Sequence, residues 1–280
     1  MGDNLIKRNH ILSFLWRAAY PVAIHFLVGQ VVAHIFLTVI LWMGGSSKDY
    51  IAAAMTVTGI ADLLVIFILL PLYFNDSCQR KAKGIIPLFT RYFPSVKDCV
   101  LLLALGAGLA EYLNMIVLTL TQWLPEDGYA EQMSQILDGK SFIYMLLWMG
   151  IIAPAAEEIL FRWLVFLRLR DRLGCIVSAL LSGLAFGIYH GNISQAIYAG
   201  VLGFLFAYIF DGTGVLTSTI FLHIGANVWG VAVEYLADYF TTDTGYTIFG
   251  VMSGFLMICV IFGLRYFFRI CSRPKKGRLL

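Results

Sequence analysis

Runs of apolar residues long enough to cross a bilayer decide what this chain can fold into. Eight such runs stand at about 19–43, 51–74, 99–122, 143–167, 174–192, 193–210, 213–236 and 246–268. A helix needs roughly 20 apolar residues to bridge the hydrocarbon core. The expected fold is therefore an all-α membrane protein, a bundle of about eight transmembrane helices. Of the 280 residues, 60% are hydrophobic and 13% charged. Soluble domains carry about 25% charged residues, so a disordered chain, a coiled coil and an ordinary soluble enzyme are excluded. Between the fifth and sixth runs only Gly191-Asn192 and a few polar neighbours intervene, which predicts a tight turn near membrane depth. The longest polar loop runs from Gln122 to Lys140 and includes Pro125, Glu126, Asp127, Glu131 and Asp138.

The basic residues give the bundle a sidedness. Lys7, Arg8 and Arg17 precede or enter the first run, and Arg80, Lys81, Lys83, Arg91 and Lys97 lie between the second and third. Arg168, Arg170 and Arg172 follow the fourth, and Arg265, Arg269, Arg273, Lys275, Lys276 and Arg278 belong to the end of the eighth. The opposite loops hold Lys48 and Lys140 alone. This bias predicts cytoplasmic termini, with the acidic loop and the Glu234/Asp238/Asp243 segment facing outward. The net charge of +3 is gathered at membrane edges, so nucleic acid is not an expected partner. The five cysteines, Cys78, Cys99, Cys175, Cys259 and Cys271, form no CxxC and no even framework, and no disulfide scaffold is expected. Arg17, Pro21 and the long first run do not make the short apolar region of a cleaved leader.

An ionisable side chain at a helix centre costs about 2.5–3.5 kcal/mol on the insertion scale, so each one asks for a reason. For His25, His34, Asp62 and Glu111 a structural role suffices: interhelical hydrogen bonds, pairing or snorkelling. The fourth run is different. Ala156-Glu157-Glu158-Ile159-Leu160-Phe161-Arg162 puts two carboxylates and a guanidinium inside one apolar helix. Glu158 and Arg162, four apart, share a face and pair. Glu157 points about 100° away and must find its partners across the bundle. Burial is how a carboxylate is tuned for proton transfer near neutral pH. The fifth run contributes Phe186-Gly187-Ile188-Tyr189-His190. The seventh contributes His223 and Asn227, again four apart on one face. Small residues around them (Gly183, Gly187, Gly200, Gly203, Gly225) let helix backbones approach closely.

The three motifs, E-E-x-x-F-R at 157–162, F-x-x-x-H at 186–190 and H-x-x-x-N at 223–227, resemble those of the CPBP family of intramembrane proteases. This family is also called Abi and includes the type II CAAX prenyl endopeptidases. The resemblance covers roughly residues 140–240. It divides the chain into N-terminal helices at 1–140, a catalytic helical core at 141–240, and a last helix with a basic tail at 241–280. It implies a peptidase acting on a membrane-associated or lipidated protein or peptide that enters from the bilayer. By that resemblance Glu157 is the catalytic carboxylate, with His190 activating water. His223 and Asn227 stabilise the oxyanion, and Glu158, Arg162 and Phe186 support them. Amide hydrolysis needs such a base, oxyanion donors and a proton for the leaving amine.

Two His and a carboxylate also make a catalytic zinc set, which Glu157, His190 and His223 would form. H-E-x-x-H is absent, and the reading leans to a glutamate-type mechanism without cofactor. The same resemblance implies removal of the last three residues of prenylated proteins in eukaryotes. In bacteria it implies bacteriocin or peptide maturation and self-immunity. The expected location is the bacterial inner membrane, the alternative the endoplasmic reticulum. Two other classes stay open: a transporter or proton-coupled channel built on the buried Glu, His and Arg, and a non-proteolytic immunity or binding protein on the same fold. Oligomeric state has no signature in the sequence.

Overall fold

A computed structural model describes residues 2–83, 94–123 and 128–272, with backbone alone at 2–11 and 129–130. Ten helices occupy these residues: α1 Gly2–Trp42, α2 Ser47–Ala82, α3 Val96–Thr121, α4 Tyr129–Leu137, α5 Phe142–Arg170, α6 Cys175–Tyr189, α7 Ile193–Thr213, α8 Leu216–Tyr235, α9 Ala237–Phe240 and α10 Asp243–Cys271. Among the described residues there is no strand. The protein is an all-helical, multi-pass membrane protein. Seven helices, α1, α2, α3, α5, α7, α8 and α10, are long and apolar enough to span. Of the basic residues that predict the sidedness, Arg91, Arg273, Lys275, Lys276 and Arg278 lie outside the described residues. So do Pro125, Glu126 and Asp127 of the polar loop.

The run at 174–192 forms the shorter α6. Its 15 residues rise about 22 Å, less than the roughly 30 Å of the hydrocarbon core. The helix stops because Gly191 takes a left-handed φ of 75°, the usual device at a helix end. Asn192 then caps α7, its side chain accepting from Gln195 N at 2.8 Å and donating to Gln195 Oε1 at 2.7 Å. A turn bonded to itself in this way can lie among helices without orphaned polar groups.

Helix α5 is not uniformly α-helical. Widened π turns at Leu146–Ile152 and Glu158–Phe166 flank the α-helical turn Ala153–Glu157. Pro154 explains the first. It has no N–H, and the neighbouring Ala153 N–H bonds back to Trp148 O. The Met149 carbonyl thereby loses its donor within the helix. Asn227 on α8 supplies one, Nδ2 donating to Met149 O at 2.8 Å.

Glycines set the closest helix approaches. A Cβ on Gly106 of α3 would sit 1.9 Å from Leu222 O of α8, and one on Gly225 of α8 would sit 2.1 Å from Leu103 O. On α6, a Cβ on Gly187 would meet Ala196 O of α7 at 2.4 Å. At one end of the bundle, arginines tie helices together. Arg168 donates to Asp76 Oδ2 at 2.6 Å and to Arg17 O at 2.5 Å. Arg80 forks onto Asp171 (3.2 and 2.7 Å), and Arg170 bonds Asp211 at 3.1 Å.

Gly106→Ala and Gly225→Ala should each lower stability by about 1–3 kcal/mol, the usual cost of overpacking. Gly250→Ala, with open space around it, should not. Thermal unfolding in detergent, followed by circular dichroism, checks all three.

Candidate active site

Helix α5 places the two glutamates on different neighbours. Glu158 is fully buried, and its Oε2 faces Arg162 Nε at 3.1 Å. Its Oε1 accepts a hydrogen bond from His223 Nδ1 at 2.9 Å. The Nε2 of the same imidazole stands 3.5 Å from Glu157 Oε2. Arg162, Glu158, His223 and Glu157 therefore form one chain across α5 and α8. Glu158 fixes the ring: a carboxylate on Nδ1–H leaves Nε2 as the working nitrogen, facing Glu157.

Arg162 anchors the chain from a fully buried position. Its Nη1 and Nη2 have no hydrogen-bond partner among the described residues. Aromatic faces take their place: the guanidinium carbon lies 4.6 Å from the Phe186 ring centre and 5.2 Å from that of Phe206. Cation–π contacts are strongest where water is excluded. Phe186 does more than support the arginine. Its ring also packs edge-on against His190 at 4.8 Å and His223 at 5.7 Å. The Phe186 carbonyl accepts from His190 Nδ1 at 2.8 Å, leaving Nε2 of His190 as the acceptor nitrogen.

His190 owes its position to the end of α6. It is the last right-handed residue before Gly191 turns the chain. Counted from the basic end of the bundle, it lies 15 residues beyond Cys175, and Glu157 lies 13 residues before Arg170. At 1.5 Å per residue both stand about 20 Å in. Glu157, His190, His223 and Asn227 all line one cavity of about 1430 Å³. That exceeds the roughly 300–1,000 Å³ of sites for small molecules and leaves room for a peptide segment. The side chain of Glu157 is 17% exposed within it, whereas Glu158 is sealed off.

The structure thus brings together every residue expected from the three motifs. Two details differ from the expectation. The imidazole against Glu157 is His223, and one N–H of Asn227 is committed to Met149 O; its amide carries a second N–H. Among the described residues no three His, Cys, Asp or Glu side chains are grouped to hold a metal. His223 Nδ1 bonds Glu158 and His190 Nδ1 bonds the Phe186 carbonyl, which leaves Nε2 of each ring outside those bonds.

Three residues of the cavity were not expected from the sequence to join the site: His25 of α1, Asp62 of α2 and Tyr189 of α6. Each of the first two is a lone polar residue in an apolar run, so spacing could not relate them. Glu111, by contrast, has a structural role, accepting from Trp229 Nε1 at 2.7 Å and Ser253 Oγ at 3.0 Å.

The family model described as "Type II CAAX prenyl endopeptidase Rce1-like" matches residues 139–229. The family resemblance holds over that segment. It contains Glu157, Glu158, Arg162, Phe186, His190, His223 and Asn227, and excludes His25 and Asp62. A Bacillus subtilis (strain 168) protein described as "Putative membrane peptidase YdiL" is 29% identical over 90 residues, 32% of this chain. The match covers 37% of that relative's own length. No solved structure matches the chain.

Removing one member of a buried ion pair strands the other, at about 3–5 kcal/mol. Arg162→Ala should therefore cost that much, while Glu158→Gln combined with Arg162→Met should recover most of it. Denaturant titration of the two variants beside the parent measures the difference.

Proposed function

We propose that the chain is an intramembrane endopeptidase that hydrolyses a peptide bond of a membrane-associated or lipidated substrate. One observation carries the reading. Side chains with the chemistry of a base, a second imidazole and an amide donor meet in a single cavity at membrane depth, inside the segment similar to the Rce1-like family. In this reading, water binds between Glu157 and His190 Nε2. Glu157 takes a proton from it as the oxygen adds to the scissile carbonyl carbon. The resulting oxyanion accepts from the second N–H of Asn227 and from Nε2–H of the imidazolium form of His223. Collapse breaks the C–N bond, and the proton held by Glu157 passes to the leaving amine. One oxyanion donor is typically worth about 10²–10³ in rate. Glu158 and Arg162 act through His223 by holding its ring, and the reaction as written uses no metal.

The arginine-tied end of the bundle, where Arg17, Arg80, Arg168 and Arg170 gather, supports a topology with both termini cytoplasmic, and the membrane in this proposal is the bacterial inner membrane. A fluorescent protein fused to Leu280 should light up, and a periplasm-dependent phosphatase fused there should stay inactive. The reverse result places that end outside.

Cleavage of a labelled peptide panel, prenylated and unprenylated, in liposomes tests the chemistry. Glu157→Ala and His190→Ala should each lower the rate at least about 10²-fold, and a chelator should leave it within twofold. Undiminished cleavage by Glu157→Ala would end this mechanism. A solute gradient that the parent dissipates and Glu157→Ala preserves would point to transport instead.

A further inference from the structure

A second polar chain enters the same cavity from outside the family-like segment. His25 Nε2 lies 3.1 Å from Asp62 Oδ1, and the Tyr189 hydroxyl bonds His25 Nδ1. His25 and Asp62 are 6% and 8% exposed, and the three side chains come from α1, α2 and α6. The Tyr189 ring is held edge-on by His25 at 5.1 Å and by Phe161 at 5.6 Å. His25, Asp62 and Tyr189 line the same cavity as Glu157, His190, His223 and Asn227.

A neutral imidazole between a carboxylate and a phenol gives these hydrogen bonds one direction. It donates its single N–H from Nε2 to Asp62. Nδ1 is then an acceptor, and Tyr189 must donate to it. The single proton of Tyr189 is thereby spent inside the protein. Its oxygen keeps lone pairs and is polarised by the two bonds behind it. A phenol held in this way is a hydrogen-bond acceptor standing one residue from His190.

We propose that Tyr189 is a substrate-binding residue whose oxygen accepts a backbone N–H of the peptide in the cavity, and that His25 and Asp62 are its positioning residues. The inference rests on the peptidase reading. A peptide drawn from water into a cavity between helices must find acceptors for its N–H groups, because an unmade bond there is expensive. Glu157, His190, His223 and Asn227 are all assigned to water and the carbonyl, and Tyr189 provides what they do not. Since His25 and Asp62 lie outside residues 139–229, the N-terminal helices contribute to substrate choice.

The test pairs an enzyme change with a substrate change. The full-length protein in detergent is given a fluorophore–quencher peptide that the parent cleaves, and a series with one backbone amide N-methylated at a time. Tyr189→Phe should raise KM about tenfold on the unmodified peptide and lower kcat by less than twofold. On one member of the series, the parent and Tyr189→Phe should have equal KM, since the methyl group has already removed that bond. Asp62→Asn should move KM the same way by a smaller factor. If the two changes multiply at every amide, or if Tyr189→Phe lowers the melting temperature and kcat together at constant KM, the tyrosine only ties helices and the proposal is wrong. If the parent cleaves none of the peptides, the peptidase reading fails. Binding of the same labelled peptides to Glu157→Gln, by fluorescence anisotropy, then still reads Tyr189: equal affinity across the N-methyl series overturns its role.

Discussion

Four side chains in series, Arg162, Glu158, His223 and Glu157, hold one another in place inside the bilayer, and the remainder of the site is arranged around them. Each link answers a desolvation cost. The guanidinium offsets the Glu158 charge at 3.1 Å, and aromatic rings receive the face of the guanidinium. Glu158 in turn orients the imidazole. Its neighbour Glu157 is left with a partial partner at 3.5 Å and a window onto the cavity. A buried pair is weak evidence for stability; its use here is geometric, since it fixes which nitrogen of His223 meets Glu157.

The scaffold bends its own rules to deliver this arrangement. Pro154 shifts α5 out of the regular ladder one turn before Glu157, and widened turns of this kind often mark functional places. The carbonyl that Pro154 strands is met by Asn227, so the same residue secures the helix that carries Glu157 and faces the cavity. On the other side, Gly183 and Gly187 let α6 run against α7 at backbone distance. That contact lets a short helix end inside the bundle and leave His190 there.

The spans and the three motifs are legible in the sequence because both are local. Apolar runs are contiguous, and Glu158/Arg162 and His223/Asn227 reveal their shared faces by a spacing of four. The partnership of His25 and Asp62 is not, because 37 positions separate them and no periodicity links one helix to the next. Tyr189 reads as an ordinary aromatic lining residue for the same reason. The π turns of α5 had a visible cause in Pro154, but the register they adopt depends on a donor from α8. Length also told less than it promised: the run at 174–192 is apolar enough for a span, yet Gly191 cuts it to 15 residues.

The short length of α6 bears on the surrounding lipid as well as on the protein. One flank of α6, with Ile176, Val177, Leu180, Leu184 and Ile188 about half exposed or more, presents to lipid a hydrophobic strip some 8 Å shorter than the acyl layer. Local thinning is one way a bilayer accommodates such a shortfall, and thinning at this flank would bring its polar surface toward the Gly191 turn beside which His190 stands.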